Sequence, residues 1–118
     1  MFSAEFFKGK KILITGHTGF KGTWLCKLLI SLGADVTGYA LKAPTEPSLF
    51  ELCGLAQQMN SVEGDVRDLA HLRGVFDEVQ PEIVIHMAAQ PLVRESYQNP
   101  VYTYDVNVMG TVNIMECV

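Results

Sequence analysis

The spacing of hydrophobic and polar residues predicts that strands and helices alternate along this chain. Residues 11–15 (Lys-Ile-Leu-Ile-Thr) place three aliphatic side chains in a row, which is typical of a strand buried on both faces. Residues 83–87 (Ile-Val-Ile-His-Met) predict another strand of the same kind. Residues 35–40 and 59–63 predict two further strands, the first of them weakened by a glycine.

Helical periodicity predicts two helices between these strands. Residues 20–32 carry apolar side chains every three to four positions, and Gly33 can end this helix. Its predicted apolar stripe is Trp24, Leu25, Leu28, Leu29 and Leu32. Asp68 is the predicted N-cap of the other helix. The stripe of that helix is Leu69, Leu72, Val75, Phe76 and Val79.

The remaining segments complete an alternating order of elements. Prolines and polar residues at 42–47 predict a loop, and residues 49–53 predict a short helix. Pro100 can begin a long final helix. The apolar positions of that helix include Tyr104, Val108, Val112, Met115 and Val118. The resulting order favours an α/β fold with a parallel sheet and right-handed crossovers, whose fourth strand would have an unpaired edge.

Composition narrows the class of protein. A length of 118 residues fits one domain, and 48% hydrophobic residues are enough for a core. The formal net charge of −4 comes without a cluster of Lys or Arg, which argues against a nucleic-acid partner. No apolar run approaches the ~20 residues that cross a bilayer, so we expect no membrane association. The start of the chain lacks the pattern of a secretory signal, which favours a cytoplasmic protein.

The three cysteines predict neither a disulfide framework nor a metal site. Cys26, Cys53 and Cys117 are odd in number, and their spacing does not match that of zinc ligands. We therefore expect reduced thiols that mostly fill the core, and no metal.

A glycine-rich turn between the first strand and the first helix is the main ligand-binding motif that the sequence predicts. Gly16, Gly19 and Gly22 lie where a tight turn, close approach of a pyrophosphate and close helix packing each need glycine. The following helix N-terminus offers N–H groups and a positive dipole end to phosphates. The pattern predicts a Rossmann-type doubly wound parallel sheet that binds a dinucleotide. The predicted contacts are Gly16, His17, Thr18, Gly19, Phe20, Lys21 and Gly22.

Two other interpretations of this turn are available. It can be a plain glycine-rich turn without a ligand. A phosphate-binding P-loop requires glycine five residues after the first glycine, and Lys21 stands there instead, so that interpretation fails.

The turn resembles that of the extended short-chain dehydrogenase/reductase family, which reads Thr-Gly-x-x-Gly-x-x-Gly. Three more segments resemble motifs of that family: residues 64–68 (Gly-Asp-Val-Arg-Asp), 86–89 (His-Met-Ala-Ala) and 107–111 (Asn-Val-Met-Gly-Thr). The resemblance implies that Asp65 hydrogen-bonds the adenine amino group, that small residues after the fourth strand let the cofactor approach, and that Asn107 stabilises the sheet. The implied cofactor contacts beyond the turn are Asp65, Val66, Met87, Ala88, Ala89 and Asn107. Asp65 can instead merely cap the following turn, and His86 is better explained as a packed strand-end residue than as a catalyst.

Within this family the chain resembles the nucleotide-sugar 4,6-dehydratases, particularly those acting on CDP-glucose. Residues 16–22, 38–41, 47–52 and 87–94 carry that resemblance. It implies bound NAD and a nucleotide-sugar substrate, CDP-glucose. The implied reaction moves one hydride from C4 to C6 and yields CDP-4-keto-6-deoxyglucose plus water, as in the synthesis of deoxysugars for lipopolysaccharide O-antigen. It also implies a homo-oligomer, a dimer formed through long helices.

The resemblance also assigns candidate substrate contacts. Gln90 and Arg94 lie where such enzymes begin to line the sugar pocket. Arg94 can equally be an ordinary surface charge.

Three positions depart from the family pattern and bear on the cofactor. Ala40 stands at the end of the second strand, where NAD-binding relatives usually carry an acid for the ribose hydroxyls. Lys42 nearby can accept a 2′-phosphate, which leaves NADP open beside NAD. The bulk of His17 is expected to crowd the pyrophosphate, and Lys21 adds positive charge. We therefore predict weaker NAD binding than in close relatives.

No catalytic residue is predicted in this stretch. The family's Tyr-x-x-x-Lys pair is absent, because none of the tyrosines at 39, 97, 102 and 104 has Lys four residues later. We therefore expect residues 1–118 to be an incomplete dinucleotide-binding domain without its catalytic and sugar-binding portions, inactive alone. The alternatives are a non-catalytic NAD(P)-binding regulatory module and another nucleotide-sugar epimerase or dehydratase.

Overall fold

A four-stranded parallel sheet forms the centre of the protein. The computed structural model describes residues 4–42 and 49–118. The strands are β1 (Lys11–Thr15), β2 (Asp35–Ala40), β3 (Asn60–Glu63) and β4 (Ile83–His86). They lie in the order β3-β2-β1-β4, so β4 forms one edge of the sheet, as predicted. Thr15 is in register with Tyr39 on one side and His86 on the other, and the parallel α/β prediction is confirmed.

Helices connect and cover these strands. They are α1 (Ala4–Phe7), α2 (Phe20–Ser31), α3 (Leu49–Leu52), α4 (Leu69–Val79), α5 (Val93–Gln98), α6 (Pro100–Tyr104) and α7 (Gly110–Cys117). A 3-10 turn spans Leu55–Gln57, and a π-helical turn, Asp105–Met109, joins α6 to α7. The sequence did not predict α1, α5 or the two irregular turns, because three to six residues are too few to show periodicity. Within the described residues no helix has the length and apolarity to cross a bilayer.

The predicted loop at 42–47 is described only at Lys42. Residues 43–47 of that prediction lie outside the described part of the chain. The predicted short helix at 49–53 corresponds to α3, which ends at Leu52.

The sheet divides the core into two layers, and β1 contributes to both. Leu13 faces the layer that contains Leu72 and Ile114, from α4 and α7. Ile12 and Ile14 face the opposite layer, which includes Cys26 of α2 and Phe50 of α3. Alternation of side chains along a strand explains why this run is apolar at every position. Helices therefore cover both faces, as the doubly wound prediction requires.

The predicted stripe of α2 is wrong in part. Trp24 and Leu28 are each 50% exposed, whereas the buried face of the helix is built from small residues and one leucine. That buried face is Gly22, Thr23, Cys26 and Leu29. Small side chains let α2 lie close to the glycine turn. This close packing, rather than the hydrophobicity of the side chains, determines which face of the helix is buried.

The predicted stripe of the final helix is also wrong. Tyr104 and Met115 are each 70% exposed. The opposite face packs instead, because Gly110 lies against Val66 and the Asn113 side chain donates a hydrogen bond to the Val66 carbonyl (2.8 Å). A Cβ at position 110 would lie 2.7 Å from the Val66 side chain, so only glycine allows this contact.

The predictions for α4 are confirmed. The Asp68 side chain accepts a hydrogen bond from the His71 backbone N–H (3.1 Å), as expected of an N-cap. Leu72, Val75 and Phe76 are buried.

Candidate functional site

Three glycines shape the turn between β1 and α2, and each meets a different requirement. Gly16 has φ +82°, and an added Cβ would lie 2.9 Å from the Ala88 backbone nitrogen. A Cβ at Gly22 would lie 2.2 Å from the Gly16 carbonyl oxygen. At Gly19 the nearest protein atom would be 3.5 Å away, an ordinary contact. The fold itself therefore requires Gly16 and Gly22, whereas Gly19 leaves space that only a ligand would need.

The N-terminus of α2 opens onto this turn. Gly19 is its N-cap, and no side chain in the described parts of the chain caps the helix. The first backbone hydrogen bond of the helix runs from the Thr23 N–H to the Gly19 carbonyl. The N–H groups of Phe20, Lys21 and Gly22, which come before Thr23, therefore have no helical partners. N–H groups without helical partners at the positive end of a helix suit the oxygens of a diphosphate.

Thr15 joins this turn to the end of β4. Its buried hydroxyl oxygen accepts hydrogen bonds from the N–H groups of Met87 (3.0 Å) and Ala88 (3.1 Å). The same hydroxyl donates to Nδ1 of His86 (2.6 Å). These bonds hold the backbone of 87–88 against Gly16, so the structure brings together the turn and the strand end that the sequence predicted to flank one ligand.

His86 is a structural link, which agrees with its interpretation as a packed strand-end residue. Because Nδ1 accepts from Thr15, the Nε2–H donates to the Thr111 hydroxyl (3.1 Å) on α7. Burial lowers the pKa of His86, which favours the neutral form of the ring. Sequence reasoning assigned no role to Thr15 or Thr111, although a threonine directly before the first glycine is a signal for such a tie.

His17 points into the fold and is only 1% exposed. Its Nε2 lies 2.7 Å from the Ser61 hydroxyl, and its ring packs edge-on against Phe50 with centroids 5.1 Å apart. A Cβ at Gly38 would lie 2.3 Å from the imidazole, so β2 needs glycine there to make room. The ring thus lies beneath the turn, and any effect on pyrophosphate binding would act through the shape of the turn. Weaker NAD binding stays a prediction.

Acid is expected to destabilise the protein through His17. Burial lowers the pKa of His17 from 6.5 to about 4. The unfolded chain therefore binds the proton more readily, and this contribution to stability is complete above pH 6.5 and is lost as the pH falls toward 4. We predict a loss of about 2 kcal/mol between about pH 7 and about pH 5, measured by denaturant unfolding. His17→Gln should show a shallower pH dependence over that range; an unchanged slope would contradict the assignment.

A cleft of about 160 Å³ lies beside the turn, above the ends of β2 and β3. The Thr18 hydroxyl donates to the Leu41 carbonyl (3.0 Å) and so fixes the turn to the end of β2. Ala40, Lys42 and Glu63 also line this cleft. The structure ends β2 at Ala40, as predicted, and the alanine side chain offers no hydrogen-bond acceptor to this cleft. The carboxylate of Glu63, to which the sequence drew no attention, lies nearby.

Asp65, the predicted adenine ligand, is held by its neighbour Arg67. The guanidinium donates through Nε and Nη2 to both carboxylate oxygens, at 2.6–3.1 Å. These bonds lower the pKa of Asp65. Arg67 also lies over the Tyr102 ring, 5.0 Å from its centroid. The carboxylate both caps its own turn, through the Arg67 N–H (2.9 Å), and is paired with a cation, so adenine contact stays a prediction.

Val66 follows Asp65 but belongs to the core. Its side chain is 4% exposed and its carbonyl accepts from Asn113. A cofactor contact by Val66 stays a prediction that its side chain does not favour.

Asn107 lies in the π-helical turn and binds the loop that follows β4. Its side chain accepts from the Gln90 N–H (2.6 Å) and donates to the Gln90 carbonyl (3.0 Å). The Gln90 side chain in turn bonds the backbone of Leu92 and the Thr103 hydroxyl. Both amides therefore hold the loop, and a substrate contact by Gln90 would require it to give up these bonds.

The other predicted residues are exposed near this loop and turn. Lys21, Ala89 and Arg94 are exposed, Arg94 in the first turn of α5. Their roles in cofactor or substrate binding stay predictions. Among the residues that the structure describes, no group of acidic, His or Cys side chains is arranged to hold a metal ion.

Comparison with known proteins identifies relatives along the whole chain. The family model for GDP-mannose 4,6-dehydratase matches residues 13–118. The chain is 56% identical, over all its length, to the CDP-glucose 4,6-dehydratase of Salmonella typhimurium, of which it covers 33%. It is 31% identical to a GDP-mannose 4,6-dehydratase of Vibrio cholerae, over 92% of this chain and 31% of that relative. The chain thus spans about a third of the length of the curated relatives it matches.

A solved structure with a similar fold contains a dinucleotide. The UDP-glucose 4-epimerase of Brucella ovis, in complex with NAD, superposes with a TM-score of 0.79 at 29% identity. The match covers 92% of this chain and 32% of the epimerase.

Proposed function

The chain belongs to the GDP-mannose 4,6-dehydratase family, and on that premise we propose that it forms the NAD-binding part of a nucleotide-sugar 4,6-dehydratase that acts on CDP-glucose. The glycine turn between β1 and α2 is the main support for this function. The space at Gly19 and the unpaired N–H groups at the start of α2 suit a diphosphate. The 56% identity to a CDP-glucose 4,6-dehydratase supports this substrate over GDP-mannose, since the GDP-mannose 4,6-dehydratase of Vibrio cholerae is only 31% identical.

The residues present fit a dinucleotide. The turn at 16–22 would hold the diphosphate, and the cleft at the ends of β2 and β3 would hold the adenosine half. Thr15 keeps the backbone of 87–88 against Gly16, which shapes the wall next to the turn. NAD, when bound, supplies a hydride acceptor and donor for internal redox chemistry. This chain's own part is to bind and orient the cofactor.

We propose that the catalytic residues lie outside these 118. The chain has no Tyr-x-x-x-Lys pair, and it spans about a third of its relatives. We propose that it is an incomplete dinucleotide-binding domain of a cytoplasmic homo-oligomer that makes a 4-keto-6-deoxy sugar nucleotide.

The test uses the natural full-length protein that carries this sequence. CDP-glucose, GDP-mannose and UDP-glucose are each incubated with the protein and NAD, and products are identified by mass spectrometry and NMR. We expect CDP-glucose to lose one water and gain a 4-keto group, with no net change in NAD. An isomer of the same mass would identify an epimerase. NAD binding without conversion of any of the three sugars would favour a regulatory module.

A further inference from the structure

We propose that Glu63 selects the cofactor in this chain, favouring NAD over NADP by occupying the place of the acid that β2 lacks. The inference rests on the proposed function, because it concerns the same dinucleotide site. Dinucleotide folds that bind NAD hold the ribose hydroxyls with an acid at the end of the second strand. Here that position is Ala40, and sequence reasoning left the choice between NAD and NADP open.

The register of the sheet places Glu63 next to Ala40. Ala40 and Glu63 are direct partners in the β2–β3 ladder, at the last position of each strand. Neighbouring strands lie about 4.8 Å apart. The Glu63 carboxylate therefore extends from the strand next to the one that usually carries the acid.

The two side chains also lie on one face of the sheet. Ser61 contacts His17, and Gly38 packs against the same imidazole. Because side chains alternate along a strand, Glu63 and Ala40, each two residues further on, share that face. It is the face of the glycine turn and α2, where both residues line the cleft.

The negative charge of Glu63 favours NAD over NADP. A carboxylate accepts hydrogen bonds from ribose hydroxyls but repels a 2′-phosphate. Glu63 is exposed and, among the ion pairs of residues 4–42 and 49–118, it takes part in none, so its oxygens are available. Lys42 lines the same cleft and acts in the opposite direction, so the preference reflects the balance of the two charges.

The experiment compares NAD and NADP binding to the natural full-length protein by titration calorimetry. The variants are Glu63→Gln, Lys42→Met and, as a matched control, Glu78→Gln, an exposed acid on α4. We expect the wild type to prefer NAD, and Glu63→Gln to reduce the ratio of NAD to NADP affinity by about tenfold. Lys42→Met should raise that ratio, and Glu78→Gln should leave it unchanged.

The outcomes separate this inference from the proposed function. A wild type that prefers NADP, or an affinity ratio unchanged in Glu63→Gln, would overturn the role of Glu63 while NAD(P) binding itself stands. Absence of binding of either dinucleotide to the wild type would overturn the proposed function and the inference with it.

Discussion

Gly22→Ala is expected to destabilise the protein severely, by about 3 kcal/mol or more. The added Cβ would lie 2.2 Å from the Gly16 carbonyl oxygen and 2.9 Å from the His17 Cα. These are backbone atoms, which cannot move aside as a flexible side chain does. The start of α2 would have to move away from the turn. Denaturant unfolding of the full-length protein measures the loss.

Gly19→Ala provides the matched control in the same turn. Its Cβ would meet only the Gly16 carbonyl at 3.5 Å, and φ is −78°, which alanine adopts readily. We expect stability to change by less than about 1 kcal/mol while NAD affinity falls by at least about tenfold, because the methyl group fills space intended for a diphosphate. Equal effects of the two variants on folding, or undiminished NAD binding by Gly19→Ala, would contradict this division of roles.

Thr15→Val is expected to have the second largest effect, a loss of about 3 kcal/mol in unfolding free energy. Valine keeps the shape of threonine but leaves the half-buried Ala88 N–H and His86 Nδ1 without their partner. Buried polar groups without partners cost more than a hydrogen bond gains. Chemical denaturation tests the loss.

Thr18→Val is the control for this prediction. The Thr18 hydroxyl makes one bond, to the Leu41 carbonyl at the protein surface, so its removal should cost about 1 kcal/mol or less. A loss in Thr18→Val as large as that in Thr15→Val would show that burial of the network does not matter.

The sheet was predictable from sequence because its signals are local. Continuous apolar runs gave β1 and β4, since strands covered on both faces need apolar side chains at every position. The Asp68 N-cap and the stripe of α4 were equally plain. The glycine turn was recognisable because Gly16 and Gly22 meet backbone requirements that no other residue satisfies.

Helix orientation was predicted less well, because packing followed small residues rather than large ones. On α2 the buried face includes Gly22 and Cys26, and Trp24 lies on the outside. On α7 the buried face begins with Gly110 and includes the polar Asn113. On α2 the close approach of small residues determines which face is buried, and on α7 a hydrogen bond to a carbonyl contributes. The spacing of hydrophobic residues along the sequence reveals neither effect.

The site was predicted in place but not in detail. The roles of His17 and Asp65 depend on Ser61 and Arg67, and the role of Gln90 depends on Asn107. Only the folded chain shows that these side chains already have partners. The opposite holds for Glu63, whose importance comes from a strand register that no local pattern discloses.

The tie between Thr15 and the end of β4 has a consequence for how the protein folds. The turn occupies a few consecutive residues, yet its final geometry depends on bonds to Met87 and Ala88, which lie 72 and 73 residues later. Closing so long a loop is slow, and contacts of this range form late. The cofactor turn should therefore become protected from amide exchange only when β4 docks, after β1 and β2 have paired.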